Sequence, residues 1–387
     1  MTAQIVIAGA GIAGLAAAVA LQQRGHSVTV IEARTDTSTG AGISIWPNAL
    51  AALDQIGLGA VVRAAGGRVT AGAIRWYDGT WLRRPSAERL VKALGEPLVV
   101  VRRSVLRDIL TDAVAPGTIR YGTALSELTA AADGVRLRLS DGGSLDAAAA
   151  IGADGTRSVV ARHLNGRLDD RYTGYTSWRG IARCRLDPDL AGETMAPGTE
   201  VGHVPMGPDL TYWFATERLP AGRDAPGGEL AYLRSRLATW AEPIPGILAA
   251  TAPQDVLRND LYDRTPAQQW SRGPVAVIGD AAHPMRPHLG QGGCQALEDA
   301  AILAGFVAQS PDLSTAFARF EAFRLPRIAH LVRESKLIGT VVNLRPALLS
   351  AVATRATRLV PEAAMSRHLA AIAAGSSFRM PAERDSG

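Results

Sequence analysis

Cysteine is almost absent from this chain: Cys184 and Cys294 are the only two in 387 residues, and no C-x-x-C occurs. That excludes a disulfide framework, a cysteine-built zinc site and a dithiol redox enzyme, and it fits a reducing, cytoplasmic setting. Lysine is equally scarce, at Lys92 and Lys336 alone, so nearly all of the positive charge is arginine scattered along the chain. The net charge is +5, but no basic run or stripe stands out, and nucleic-acid binding is not expected. Long apolar runs are missing as well. The longest apolar stretch, Ile5 to Leu21, is at the lower limit for a membrane span, and Gly9, Gly11 and Gly14 fall in its first half. No Lys or Arg precedes it, so neither a span nor a secretory signal is expected. There is no His-rich tract and no internal repeat; no metal site is predicted, and the oligomeric state is left open.

With 47% hydrophobic and 20% charged residues, the composition is that of a globular protein of two or three domains. Gln4 to Ala8 reads as a buried strand. An Ala-rich helix follows the glycines and ends at Gly25, before a second strand, Ser27 to Ile31. Further strands are predicted over Ala71–Trp81 and Leu98–Val101, with helices over Pro47–Ile56 and Arg103–Val114. Short alternating strands run from Ile119 to Ile151, with turns at Asp133-Gly134 and Asp141-Gly142-Gly143. Another β-rich block covers Tyr172–Phe214, and a helix Leu230–Trp240. Pro274 to Gly279 is a late apolar strand, followed by a Pro/Gly loop, a helix over Cys294–Ala308 and mostly helix thereafter. The predicted class is α/β: a Rossmann-like domain from residues 1–71, 98–171 and 271–310, interleaved with a β-sheet substrate domain from 72–97 and 172–270. C-terminal helices over 311–375 and a frayed tail, 376–387, complete it.

Three loops carry the chemistry. Gly9-x-Gly11-x-x-Gly14 lies between strand and helix, with Glu32 about 20 residues further on at the end of the next strand. Gly9 permits the tight turn, Gly11 lets backbone approach a pyrophosphate, Gly14 lets helix and strand pack closely, and the helix N-terminus faces the phosphates. Glu32 suits ribose hydroxyls and would repel a 2′-phosphate, so the dinucleotide is NAD or FAD in this site. Gly279-Asp280-Ala-Ala-His283-Pro284 puts a carboxylate at the carboxyl edge of the sheet. Gly290-Gln-Gly292-Gly293 then opens another helix, whose amides suit the anionic edge of a reduced flavin. Gly152-Ala-Asp154-Gly155 is the third loop.

Together with Gly40-Ala-Gly-Ile-Ser-Ile-Trp46-Pro-Asn-Ala-Leu50, Arg103-Ser-Val-Leu106 and Tyr175-Thr-Ser-Trp178-Arg179-Gly180, these motifs resemble the class A flavoprotein monooxygenases, from Ile5 to about Gly339. The likeness is greatest to the branch of salicylate hydroxylase, urate hydroxylase and zeaxanthin epoxidase. It implies non-covalent FAD, with Glu32 on the adenosine ribose, Arg103 near the pyrophosphate, Asp280 on the ribityl chain and Gly290–Gly293 at the isoalloxazine edge. Ala13, Arg34 and Pro287 are placed with the cofactor by the same motifs. Asp154 would serve both FAD and passing NADH or NADPH, although Ala161 stands where the family usually has arginine, with Arg162 next. The implied reaction is hydroxylation or epoxidation of a small aromatic or polyketide-like substrate by NAD(P)H and O₂ through a C4a-hydroperoxyflavin.

Such chemistry profits from a base near neutral pH, and His288, just before the flavin loop, is the first candidate. Tyr212 is the second catalytic candidate. Trp46, Arg183, His203 and Trp213 are candidate walls of the substrate pocket, while His283 and Cys294 read as structural. Two alternatives use the same fold without oxygen insertion: a flavin dehydrogenase or oxidase, and a flavoprotein that only binds its ligand.

Overall fold

Five short strands run parallel in the order Val275–Val277, Ala149–Gly152, Gln4–Ala8, Ser27–Glu32 and Ile119–Tyr121, with Ser271–Arg272 added antiparallel at one edge. The computed structural model of the protein describes residues 4–35, 41–131, 134–223 and 225–381. Ile5, Val6 and Ile7 are all fully buried, as expected for a parallel strand covered on both faces. On one side lies the helix Ile12–Gln22, in which every residue from Ile12 to Leu21 is buried. It packs against the helix Gly292–Gln309, itself rich in buried alanine. Methyl-sized side chains on both helices allow a close approach, which is why this helix is hydrophobic all round rather than amphipathic.

The second large sheet has seven strands in the order Leu257–Arg264, Asp170–Ala182, Thr211–Glu217, Thr199–Pro205, Gly192–Ala196, Ala73–Trp76 and Trp81–Arg83. The chain therefore passes between the two large sheets four times. Helices Glu229–Arg236 and Ile244–Ala249 cover one face of the second sheet, and Trp178, Trp213, Leu233 and Ile247 fill the layer between. The opposite face looks towards the first sheet and the loop before Gly292.

Smaller sheets, Gly42–Ile45 with Leu98–Arg102 and Gly67–Val69, and Leu125–Ala131 with Gly134–Leu139 and Ser144–Ala147, complete the β structure. A 30-residue helix, Leu313–Val342, then runs past both large sheets, with Pro326 inside it. The frayed tail is corrected over its described part: Phe378 and Met380 pack against the main core, and Met380 and Pro381 close over Gly305, whose bare Cα makes the space. Residues 382–387, like Gly40 and Asp133 of the motifs above, lie outside the described residues. No described helix is long and apolar enough to cross a membrane.

Candidate active site

Strand register brings the three glycine loops together. Ala8 pairs with Ile31 on one side and Gly152 on the other, and Gly152 pairs with Val277. Gly9, Glu32, Ala153 and Ile278 therefore come next, side by side, at one carboxyl edge, where open α/β sheets take their ligands. Gly9 has φ +102° and donates to the Ile31 carbonyl at 2.7 Å. A Cβ there would lie 2.4 Å from the Ala153 carbonyl oxygen, and one on Gly14 only 1.9 Å from the Gly9 carbonyl oxygen. A Cβ on Gly11 would meet nothing within 4 Å, so that side of the turn is left open to a ligand. Ala13 packs beneath, where it limits the space at Gly279 to a bare Cα.

Glu32 turns its carboxylate into the loop, accepting from the Ala10 amide at 2.7 Å and the Arg34 amide at 2.9 Å. Asp154 accepts from the Val159 amide at 2.8 Å, while its other oxygen is buried with no hydrogen-bond partner among the described residues. Burial raises its carboxyl above the usual range, against the hydrogen bonds from Ser158 and Val159. A buried acceptor left open in this way suits a hydroxyl or amide donor of a bound cofactor. Arg103 stands at the start of its helix, Arg103–Asp112, with Asp280, Arg179, Arg34 and Tyr212 around it. Burial lowers its pKa, Asp280 opposes that, and the neighbouring arginines add to it. Three guanidiniums gathered at one cleft suit a diphosphate. These residues fit FAD.

Arg264 was not singled out from the sequence. It donates to the carbonyls of Thr156, Asp280 and Ala282 at 3.2, 3.3 and 3.1 Å, tying the Asp154 loop to the Asp280 loop. Beneath them lies a buried ionic network. Asp299 accepts from the Gly279 amide, His283 and Arg324 at 2.9, 2.6 and 2.8 Å. Arg324 also donates to Glu298 at 2.6 Å, and Asn48 reaches the same carboxylate. His283 is thus a structural residue, as the sequence suggested. Ala161 is fully buried in its helix, so an arginine at that position would enter the core, whereas Arg162 next to it is exposed.

The loop Pro287–Leu289 is one 3₁₀ turn, ended by Gly290 at φ +60°, and Gly292 and Gly293 open the long helix with no acidic residue in its first turn. Trp46 packs its indole nitrogen 3.0 Å from where a Gly290 Cβ would be, and Ile43 packs against Gly293. Trp46 therefore sits against this loop. Tyr212 lies over Gly42, where a Cβ would come within 2.5 Å of its ring, and close to Arg103. It faces the cleft.

Cross-strand pairing separates the remaining candidates. Trp213 stands opposite His203 and Gly180, so both Trp213 and His203 point away from Tyr212. Trp213 is fully buried on Gly180 and donates to the Thr251 hydroxyl at 2.9 Å, which makes it core rather than pocket wall. His203 is buried against Thr194 at 3.1 Å, its pKa pushed down to about 3 by burial and the nearby Arg75, so it stays neutral behind the sheet. Arg183 lies past the end of its strand and is exposed. None of these three lines the cleft.

His288 is not free either. Its ring is 1% exposed, with Nε2 2.8 Å from the Tyr175 hydroxyl and Nδ1 3.2 Å from Glu200. The Leu313–Val342 helix comes so close that a Cβ on Gly339 would lie 2.4 Å from Nε2. Burial pushes the Tyr175 hydroxyl up to about 12, so it remains protonated and can donate. Tyr175 appears in a sequence motif without a role, and Glu200 is hidden in a strand buried on both faces.

The family described as FAD binding domain matches residues 2–332. Aurachin C monooxygenase/isomerase of Stigmatella aurantiaca is 37% identical over 341 residues, covering 87% of this chain and 89% of that protein. The FAD-dependent urate hydroxylase of Klebsiella pneumoniae is 33% identical over 340 residues, covering 86% and 88%. The structure of Klebsiella pneumoniae HpxO complexed with FAD and uric acid superposes with a TM-score of 0.89 at 29% identity, covering 96% of each chain.

Proposed function

The chain belongs to the FAD-binding-domain family of class A flavoprotein monooxygenases, and on that premise we propose that it uses NAD(P)H and O₂ to oxygenate a small aromatic ring, with His288 as the proton acceptor. The protein is an FAD-dependent monooxygenase. Its relatives are monooxygenases and hydroxylases, which favours oxygen insertion over the dehydrogenase, oxidase or binding-only readings. FAD, when bound, supplies the redox and oxygen-activating chemistry; the protein binds, orients and excludes water.

Glu32, Arg103, Asp154 and Asp280 would hold the cofactor along the sheet edge, with the Gly290–Gly293 amides at its ring end. The substrate ring would lie between that loop and the open face of the seven-stranded sheet, with Tyr212 and Trp46 beside it. The long helix, packed at Gly339 against His288 and Tyr175, would help to keep water from the reacting centre.

The observation that carries the proton step is the Glu200–His288–Tyr175 chain immediately before the flavin loop. The Glu200 carboxyl lies 3.2 Å from His288 Nδ1, and the Tyr175 hydroxyl 2.8 Å from Nε2. In this role the imidazole would take the proton of the ring hydroxyl as oxygen is transferred, with Glu200 beside it to balance the charge. Deprotonating the ring makes it more electron-rich, which speeds attack on an electrophilic oxygen. The test is His288→Ala. FAD should be retained, because the amides of Gly290–Gly293, and not the His288 side chain, would hold its ring edge. Hydroxylation should fall on the order of 10²–10⁴-fold while nicotinamide oxidation continues and ends as H₂O₂. A variant with wild-type coupling of product to nicotinamide at every pH removes His288 from this role.

A further inference from the structure

Alternation along the strands places Glu193 and Glu200 on the same cleft-facing side of the seven-stranded sheet as Tyr175 and Tyr212. Glu193 stands opposite Gly202, Met195 opposite Glu200 and Val204 opposite Tyr212, so the two carboxyl groups sit one diagonal apart on adjacent strands. Burial and the neighbouring Glu200 both raise the carboxyl of Glu193, which holds it in its neutral form.

Two of the nearby cations are already engaged, and the other two, Arg103 and Arg179, stand at the cofactor end of the cleft. Arg286, over the ring of Tyr175, makes a two-point ion pair with Asp263 at 2.9 and 2.6 Å. Arg75 stands opposite Thr194, on the other face of the sheet, and donates to the Glu242 carbonyl. Arg179 and Arg103 lie towards Asp280 and Tyr212, at the cofactor end. If His288 is protonated, Glu200 is its counter-ion.

We propose that this pocket selects an uncharged ring bearing a hydroxyl or N–H donor and turns away rings that carry a carboxylate. The inference rests on the reading that an aromatic ring binds between the flavin loop and this sheet face. With Arg103 and Arg179 turned to the cofactor diphosphate, a carboxylate brought there would lose its water, find Arg286 and Arg75 committed elsewhere and face Glu200, so its desolvation would go uncompensated. A neutral donor meets the opposite situation: a buried carboxylate accepting a charge-assisted hydrogen bond.

The experiment titrates the FAD-loaded protein with matched pairs: phenol against salicylate, and 2-naphthol against 3-hydroxy-2-naphthoate. Perturbation of the flavin absorbance reports binding, and stimulated NAD(P)H oxidation gives a second readout. The neutral member of each pair should bind about tenfold or more tighter, since one uncompensated like charge costs at least that factor. Glu200→Gln, of the same shape, should narrow the preference, and Glu200→Arg should reverse it. Equal or tighter binding of the carboxylated rings by the wild type, or an unchanged preference in Glu200→Gln, overturns the inference and leaves the hydroxylase reading standing. If no ring of either kind perturbs the flavin, the aromatic-hydroxylase reading falls as well.

Discussion

Removing Arg324 should be among the most damaging single changes outside the cofactor loops. Its guanidinium is 1% exposed and reaches Asp299 at 2.8 Å, Glu298 at 2.6 Å and the Gln295 side chain at 2.8 Å, while both carboxylates are fully buried. Arg324→Met keeps the length and apolar stem of the side chain but strands two buried carboxylates. Glu298 retains Arg327 at 3.3 Å and Asn48, and Asp299 retains His283, so the loss is partial. Breaking a buried pair from one side typically costs about 3–5 kcal/mol. At about 2.1 cal/mol/K per residue, the unfolding entropy of a 387-residue chain is roughly 0.8 kcal/mol/K, so this cost lowers Tm by about 4–6 °C.

The pH dependence gives the argument a second handle. Burial alone would raise the Asp299 carboxyl, but His283 and Arg324 outweigh it and hold the group below its usual value. In the wild type its contribution is therefore present above the unfolded carboxylate pKa, roughly 4, and is lost as pH falls through the depressed folded value. Without Arg324 burial gains weight, the folded pKa rises, and the variant recovers part of its deficit by taking up a proton as pH falls. Thermal unfolding of wild type and Arg324→Met from pH 8 to pH 5 should show the largest gap at pH 8, and Glu298→Gln added to Arg324→Met should recover part of it. Because Asp299 also holds the Gly279 amide, FAD retention should fall with stability. A variant melting within 1 °C of wild type, with no change of gap across pH, refutes the reasoning.

Two further contrasts separate neighbours that sequence alone treats alike. Gly14→Ala places a Cβ 1.9 Å from the Gly9 carbonyl oxygen and should lower both stability and FAD content, whereas Gly11→Ala meets no protein atom within 4 Å and should weaken FAD binding with little loss of Tm; equal Tm losses would mean that Gly11 is not a ligand approach. Trp213→Phe leaves the Thr251 hydroxyl without its donor and should cost about 1–3 kcal/mol in urea unfolding with ring binding unchanged, while Tyr212→Phe should alter FAD and ring binding at nearly wild-type stability.

The cofactor half of the site was legible because its geometry is written in single residues at fixed places. A short apolar strand followed by glycine states where the sheet edge lies, and Gly9, Gly279 and Gly290 all hold positive φ that other side chains rarely adopt. Arg264 escaped notice because it joins two such loops from a third strand, a relation with no signature along the chain. The substrate half was less legible for a different reason. Thr199 to Pro205 is buried on both faces up to His203, so hydrophobic alternation carries no phase, and side-chain chemistry drew attention to His203 rather than Glu200. The missing quantity was one bit, the parity of a single strand. Once Tyr212 is fixed over Gly42, the antiparallel register assigns every neighbour: Val204, Gly202 and Glu200 share its face, Ile181, Arg179 and Tyr175 follow on the next strand, and Trp213 with His203 must lie behind. A one-residue slip would exchange the two sets and turn the Glu200–His288 contact into a buried carboxylate facing Trp178 and the helix layer. The burial of that contact is thus itself a constraint on register, and the same residues that would position the substrate help to hold the sheet in phase.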